Sequence, residues 1–350
     1  MPNPYSAQPD HAFWSRAVAR PSPETVDPVI EPKFRLSRRH QIATAGSCFA
    51  QHIARTLAAS GFGYLVTEPG PVESNYGVFP ARFGNIYSTR QFLQLFQRAY
   101  GLFHPQDFAW PRPDGVLVDP FRPQIEPTGF SSLAALREDH ETHFAAVRAM
   151  FETCNVLVFT LGLTEAWVSK RDGAVFPLAP GVVASPERTD SYAFQNFTVS
   201  EMVADLVEAI EKMRVVNPGV RVILTVSPVP LIATYEQKHV LVATTYSKSA
   251  LRVVAEMVSQ SIPDVAYFPS YEIITGHHTH YKFFAEDLRS VTPDGVDHVM
   301  KLFKRHYLSE GNRDEVREAS HERKIAVPES HEKELNDLYQ VICEEEAIET

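Results

Sequence analysis

The segment Gly46-Ser47-Cys48-Phe49-Ala50 places two nucleophile types side by side where a strand pattern gives way to a helix pattern. The strand-like run QIATAG precedes it at 41–46. Phe49, Ile53 and Leu57 then recur every four residues, and Gly61 closes the helix. The glycine permits a tight turn. A serine just before a helix sits among free backbone N–H groups and a partial positive charge. Those donors can stabilise an alkoxide and the oxyanion that follows its attack. The competing reading of Ser47 is a plain helix N-cap, a role serine commonly fills. Cys48 is a rival nucleophile, because the first turn of a helix favours a thiolate. Its competing reading is a small buried thiol.

Alternating elements must position this segment. FGYLVTE at 62–68 is a second strand candidate, and helices are expected over 89–100 and 131–153. NVLVFTLG at 155–162 is a short apolar strand of the kind buried on both faces. Thr198 and Glu201 form a capping box for a helix over 199–214. VRVILTVS at 220–227 is another buried strand, residues 245–260 are helical, and DVAYFPS at 264–270 is a strand. Thr292-Pro293 starts the last core helix. This alternation predicts an α/β fold with a mainly parallel sheet and helices on both faces. Two stretches, 103–130 and 166–197, fit it poorly. Their Asp114-Gly115 and Asp172-Gly173 pairs predict hairpin turns, so both are read as inserted rims. Residues 1–37 read as an extended arm, 38–308 as the α/β domain. Residues 309–350 read as an acidic, poorly packed tail with a helix near 329–343.

The chain has 350 residues, 44% hydrophobic and 22% charged, an ordinary globular balance. A formal net charge of -10 argues against nucleic-acid and anionic-membrane partners. No run approaches membrane-spanning length. The start, MPNPYSAQPD, lacks the pattern of a secretory signal. Cys48, Cys154 and Cys343 are far apart and odd in number, which suits free thiols. A cytoplasmic location follows as an expectation, with no cofactor and no metal.

GSCFA, followed by QHIARTLAASGF, resembles the bacterial GSCFA family, which takes its name from this pentapeptide. Asn75-Tyr76-Gly77, FGNIY at 83–87, TLGLTEAW at 160–167, SPVP at 227–230, YSKS at 246–249, YFPSYEI at 267–273 and EDLRSVTPDGVDHV at 286–299 extend the resemblance over about residues 11–308. The family looks like a branch of the SGNH (GDSL-like) hydrolases. The resemblance therefore implies a flavodoxin-like three-layer α/β/α sandwich and a serine esterase or acyltransferase. In that pattern Ser47 is the nucleophile and Cys48 falls at an apolar position. Gly84, followed by Asn85, falls where the second glycine is expected, and Gly162 at the third. Thr164 stands where an asparagine is usual, so Asn75 or Asn85 could supply the missing amide.

The late block departs from the pattern. Asp287 matches the triad aspartate, but Ser290 stands at the histidine position. A base must come from elsewhere or be absent. His239, after Ser227-Pro228, is the first candidate; His277, His278 and His280 form a second group, and Lys248 in YSKS a third. His298 reads as a surface residue. The expected function is serine-dependent ester hydrolysis or acyl transfer on a carbohydrate-linked or lipid acyl ester. The rival is a catalytically silent binding module of the same fold, motivated by Ser290.

Overall fold

The computed structural model of the chain describes residues 3–186, 188–308 and 343–349. A five-stranded sheet lies at its centre: β1 (Gln41–Gly46), β2 (Gly63–Tyr64), β3 (Val156–Leu161), β4 (Arg221–Val226) and β5 (Val265–Tyr267). All four pairings are parallel, and the spatial order is 2-1-3-4-5. That is the order of a flavodoxin-like doubly wound sheet, in which the connections change side between β1 and β3. The crevice beyond the carboxyl ends of those two strands is where such folds bind ligands.

Side chains alternate along each strand, so one sheet feeds two cores. Ala43, Ala45, Leu157, Phe159 and Leu224 face a layer built from α2 (Thr89–Ala99), α3 (Leu133–Thr153), α4 (Val199–Val216) and α5 (Val240–Ser261). Ile42, Val156, Val158 and Ile223 face the other layer, made of α1 (Phe49–Ala59), α6 (Ser270–Thr275) and α7 (Pro293–Tyr307). The chain is thus an α/β protein with three layers. Burial on both faces explains why β3 and β4 read as unbroken apolar runs rather than alternating ones.

Helix starts follow their sequence signals. Thr198 and Glu201 make the expected capping box on α4, Ser88 and Gln91 make another on α2, and Thr292 caps α7 ahead of Pro293. The second strand is much shorter than 62–68. After Tyr64 the Leu65 N–H still bonds Ile42, but Thr67 turns to the carbonyl of Pro80, so the chain peels off the sheet edge. The last strand also stops early, because Phe268-Pro269 turns into the buried Ser270 that begins α6.

Both inserted stretches contain the expected hairpins. Trp110–Pro111 pairs with Leu117–Val118 around Gly115, and Glu165–Ser169 pairs with Val175–Phe176 around Gly173. Tyr192–Asn196 adds a third strand to the second hairpin. The N-terminal arm lies on the molecule. Leu36 is fully buried and its N–H bonds Tyr307, while Asp27 pairs with Arg305 and His306 of α7.

Candidate active site

β1 ends in Gly46 at φ +132°, where any Cβ would lie 2.2 Å from the Thr160 carbonyl of β3. Only glycine lets the two strands close at this point. Ser47 follows, buried and beyond the strand ends. It is not the cap of α1. Cys48 holds that position, no side chain caps the helix, and the Ser47 hydroxyl has no hydrogen-bond partner among the described residues. A buried unpaired hydroxyl at a sheet's ligand edge calls for an explanation beyond structure.

Gly162, at the end of β3, packs directly on Ser47. A Cβ there would stand 3.0 Å from the Ser47 Cβ and 3.2 Å from the Tyr87 ring. The Gly162 carbonyl accepts a 2.8 Å bond from the Nζ of Lys248, which α5 carries into the same spot. Lys248 is 3% exposed. Burial pulls its pKa down to about 8, against the opposing charges of Glu345 and Cys48.

The second glycine segment joins the same buried cluster. Gly84 takes φ +73°, and Asn85 behind it is fully buried. Gln51 of α1 donates to the Asn85 side-chain oxygen at 3.1 Å, so the amide nitrogen is turned the other way. It points to a carboxylate from the far end of the chain. Residues Glu344–Ile348 form a short helical turn, and Glu344 is 1% exposed. Its Oε1 lies 3.0 Å from where a Cβ on Gly84 would be, and both the backbone and side chain of Asn85 hydrogen-bond the carboxylate. Burial nevertheless raises the Glu344 pKa to about 7. Glu345 pairs with Arg289 at 2.8 Å, and Cys343 brings its sulfur to 3.6 Å from Cys48. Burial works against the Arg289 charge, but Glu345 and Cys343 together outweigh it and raise the pKa. The Tyr87 hydroxyl, also buried here, faces the same Glu344 carboxylate and favours its ionised form.

Several sequence-derived candidates are therefore brought together: Ser47, Gly84, Asn85, Gly162 and Lys248. Others are not. The Asn75 amide is spent on the carbonyls of Gln124 and Ile125. The Thr164 hydroxyl donates to Ser247 at 3.2 Å, and its N–H to the same oxygen. His239, the first-choice base, is exposed and caps α5 by accepting the Leu241 N–H. It lies nine residues, about 13 Å of helix rise, from Lys248. His277 packs on Trp14 of the arm, and His278 and His280 belong to the same short turn, where none bonds Ser47. His298 stacks on Phe283. Asp287 is exposed and ionised below its usual range, held by the Ser290 hydroxyl at 2.6 Å and by the N–H groups of Arg289 and Ser290. It shapes a turn instead of facing a base. Two backbone donors beside the serine are also committed: Ser47 N–H to the Thr160 carbonyl, and Gly162 N–H to that of Tyr87.

Sequence reasoning passed over Arg289, Gln51, Tyr87 and the segment Cys343–Glu349. Arg289 sits inside the EDLRS motif, where attention went to the absent histidine. The tail reading also changes: Glu344 and Glu345 are packed inside the molecule. The remainder of the tail, with the helix expected near 329–343, lies almost wholly outside the described residues. No group of metal-ligating side chains stands together among the described residues, and no helix there is long and apolar enough to cross a membrane.

Fold and site together define a three-layer α/β protein with a buried serine at the switch point of its sheet. The chain belongs to the GSCFA family, whose model matches residues 41–303. No curated protein matches the chain.

Proposed function

We propose that the protein is a serine-dependent ester hydrolase or acyltransferase of the SGNH type, with Lys248 rather than a histidine as the base. The observation that carries this reading is that a buried, unpartnered Ser47 hydroxyl and a buried lysine amine both lie against Gly162, with no hydrogen bond yet between them. A serine needs a proton acceptor close by, and a desolvated lysine can serve. In this mechanism neutral Lys248 takes the Ser47 proton as the oxygen attacks an ester carbonyl. The Asn85 amide and N–H then hold the oxyanion, as they now hold a carboxylate. The acyl-enzyme passes its acyl group to water or to a hydroxyl.

The neighbouring cavity supports an acyl substrate. It measures ≈ 360 Å³ and is walled by Leu163, Trp167, Leu178, Phe194 and Leu231. Apolar walls beside a few polar groups are the usual make-up of a small-molecule site. A carbohydrate-linked or lipid ester of cytoplasmic origin fits this reading. The second reading, a silent binding module, draws on the committed N–H groups of Ser47 and Gly162.

Hydrolysis of a short-chain p-nitrophenyl ester by the full chain tests the proposal. Lys248 becomes a base as it loses its proton near 8, and buried Glu344 is disfavoured once it ionises above about 7. Turnover should therefore rise with pH through this window, and Ser47→Ala should show only the background rate. Equal rates in both proteins would favour the binding module.

A further inference from the structure

We infer that the C-terminal segment Cys343–Glu349 is a built-in occupant of the Ser47 site, and that oxidation of the Cys48–Cys343 pair locks it in place. This inference rests on the proposed role of Ser47. Three contacts fix the segment, and each uses a group of the site itself. Glu344 places its carboxylate on Asn85, where a reacting ester would place its carbonyl oxygen. Glu345 pairs with Arg289 and lies in the field of Lys248. Ile348 reaches the wall of the apolar cavity. The segment thus imitates an acid product, with a carboxylate in the donor cradle and an apolar group beside the acyl cavity. With Glu344 and Glu345 both buried, no substrate carbonyl can reach Asn85 until the segment leaves.

The sulfur pair supplies the lock. Cys343 is the more accessible partner, and Cys48 is buried next to the nucleophile. Hydrogen bonding between the two lowers the Cys343 pKa and, with burial, raises that of Cys48 well above the usual range. Arg289 also favours the Cys343 thiolate, while burial, Glu345 and Glu346 oppose it. Cys343 is thus the thiol that reacts with an oxidant of the peroxide class. Its thiolate attacks one peroxide oxygen, the O–O bond breaks, and hydroxide leaves, giving a sulfenic acid. The Cys48 sulfur then attacks that sulfur, the S–O bond breaks, and water departs with the Cys48 proton. Two thiols lose two electrons and the peroxide gains them. The resulting disulfide ties the segment to the residue next to Ser47.

The test uses the full chain, reduced or treated with hydrogen peroxide, with two readouts by peptide mass mapping. The first is the cross-link. Cys48 and Cys343 should join, while Cys154, 1% exposed and with its pKa pushed up by burial to about 12, should stay reduced. The second is the rate at which a fluorophosphonate modifies Ser47. It should fall roughly ten-fold or more on oxidation, because only the open population reacts. Cys343→Ser should lose that sensitivity, and Glu344→Ala with Glu345→Ala should label faster than the parent chain. Absence of the cross-link, or an unchanged labelling rate once it has formed, overturns the inference. If no protein labels at Ser47, the nucleophile proposal fails. The occupant is then judged by the cross-link and by alkylation of Cys48, which should speed up in the double glutamate variant. Unchanged alkylation there overturns the inference as well.

Discussion

Replacing Lys248 by Met is expected to lower ester turnover by about 10²–10⁴-fold, the usual contribution of a positioned base. Methionine keeps the length and apolar stem of the side chain but cannot accept a proton. The fold should survive, because among the described residues the lysine's hydrogen bond is a single one, to the Gly162 carbonyl, and its stem is buried. Removing a buried cation should leave the melting temperature level or higher. The pH dependence separates a base from a mere anchor. The rise assigned to Lys248 near 8 should vanish in the variant, whereas a structural role would reduce the rate at every pH alike. Lys248→Arg should not rescue activity, since a guanidinium stays charged. His239→Ala, on the exposed start of α5, should leave turnover unchanged.

The second large effect concerns the support behind Asn85. Asp119 is fully buried and accepts bonds from Arg122 at 2.6 Å, from His140 at 2.7 Å and from the Phe121 N–H at 2.9 Å. Arg122 also pairs with Asp139 and donates to the carbonyl of Arg82, two residues before Gly84. Asp119→Ala leaves a buried guanidinium short of its counter-charge. That loss costs about 3–5 kcal/mol, a fall of roughly 10 °C in melting temperature. The Gly84-Asn85 turn should loosen with it, so turnover should fall even well below the melting point.

The same cluster makes the protein acid-sensitive. Burial opposes ionisation of Asp119, but His140 and Arg122 outweigh it and hold its pKa well below the usual range. His143 is kept neutral by burial, with a pKa near 4, and bonds Glu68 at 2.8 Å. Both folded pKa values lie below their unfolded ones, so the stability they contribute is present at neutral pH. The His143 share is lost as pH falls from its unfolded value of about 6.5 toward 4. The Asp119 share follows at lower pH. Thermal melts of the parent chain and Asp119→Ala should stay apart down to about pH 4 and converge only below it.

Much of the fold is legible in the sequence because the sheet is buried on both sides. Runs such as VLVF and VILTV have no other stable location, and the alternation with helices fixes parallel pairing. The place of Ser47 beyond a strand end is legible for the same reason, but position alone suits a helix N-cap equally well, and it is the resemblance that singles it out. The base was harder to assign. Lys248, His239 and the 277–280 histidines all follow strand ends, and sequence spacing does not say which helix face turns inward. Lys248 and Ser247 lie on the buried face of α5, but His239 sits a step ahead of its first turn. The edge of β2 was overestimated, because an apolar pattern continues after hydrogen bonding has moved to Pro80. The tail was the largest surprise. A run of glutamates ordinarily signals a solvated surface. Here two of them find partners inside the fold: Glu344 finds Asn85, far back in the chain, and Glu345 finds Arg289, 56 residues earlier.

Whether Ser47 is a nucleophile is read from its covalent modification. The reduced full chain and its Glu344→Ala variant would be treated with a fluorophosphonate near pH 8.5, above the Lys248 pKa of about 8, and the adduct mapped by mass. One adduct is expected, on Ser47, formed faster in the variant and lost in Ser47→Ala. No adduct on Ser47 in either protein would mean that Ser47 is not a nucleophile and leave the fold as a binding module.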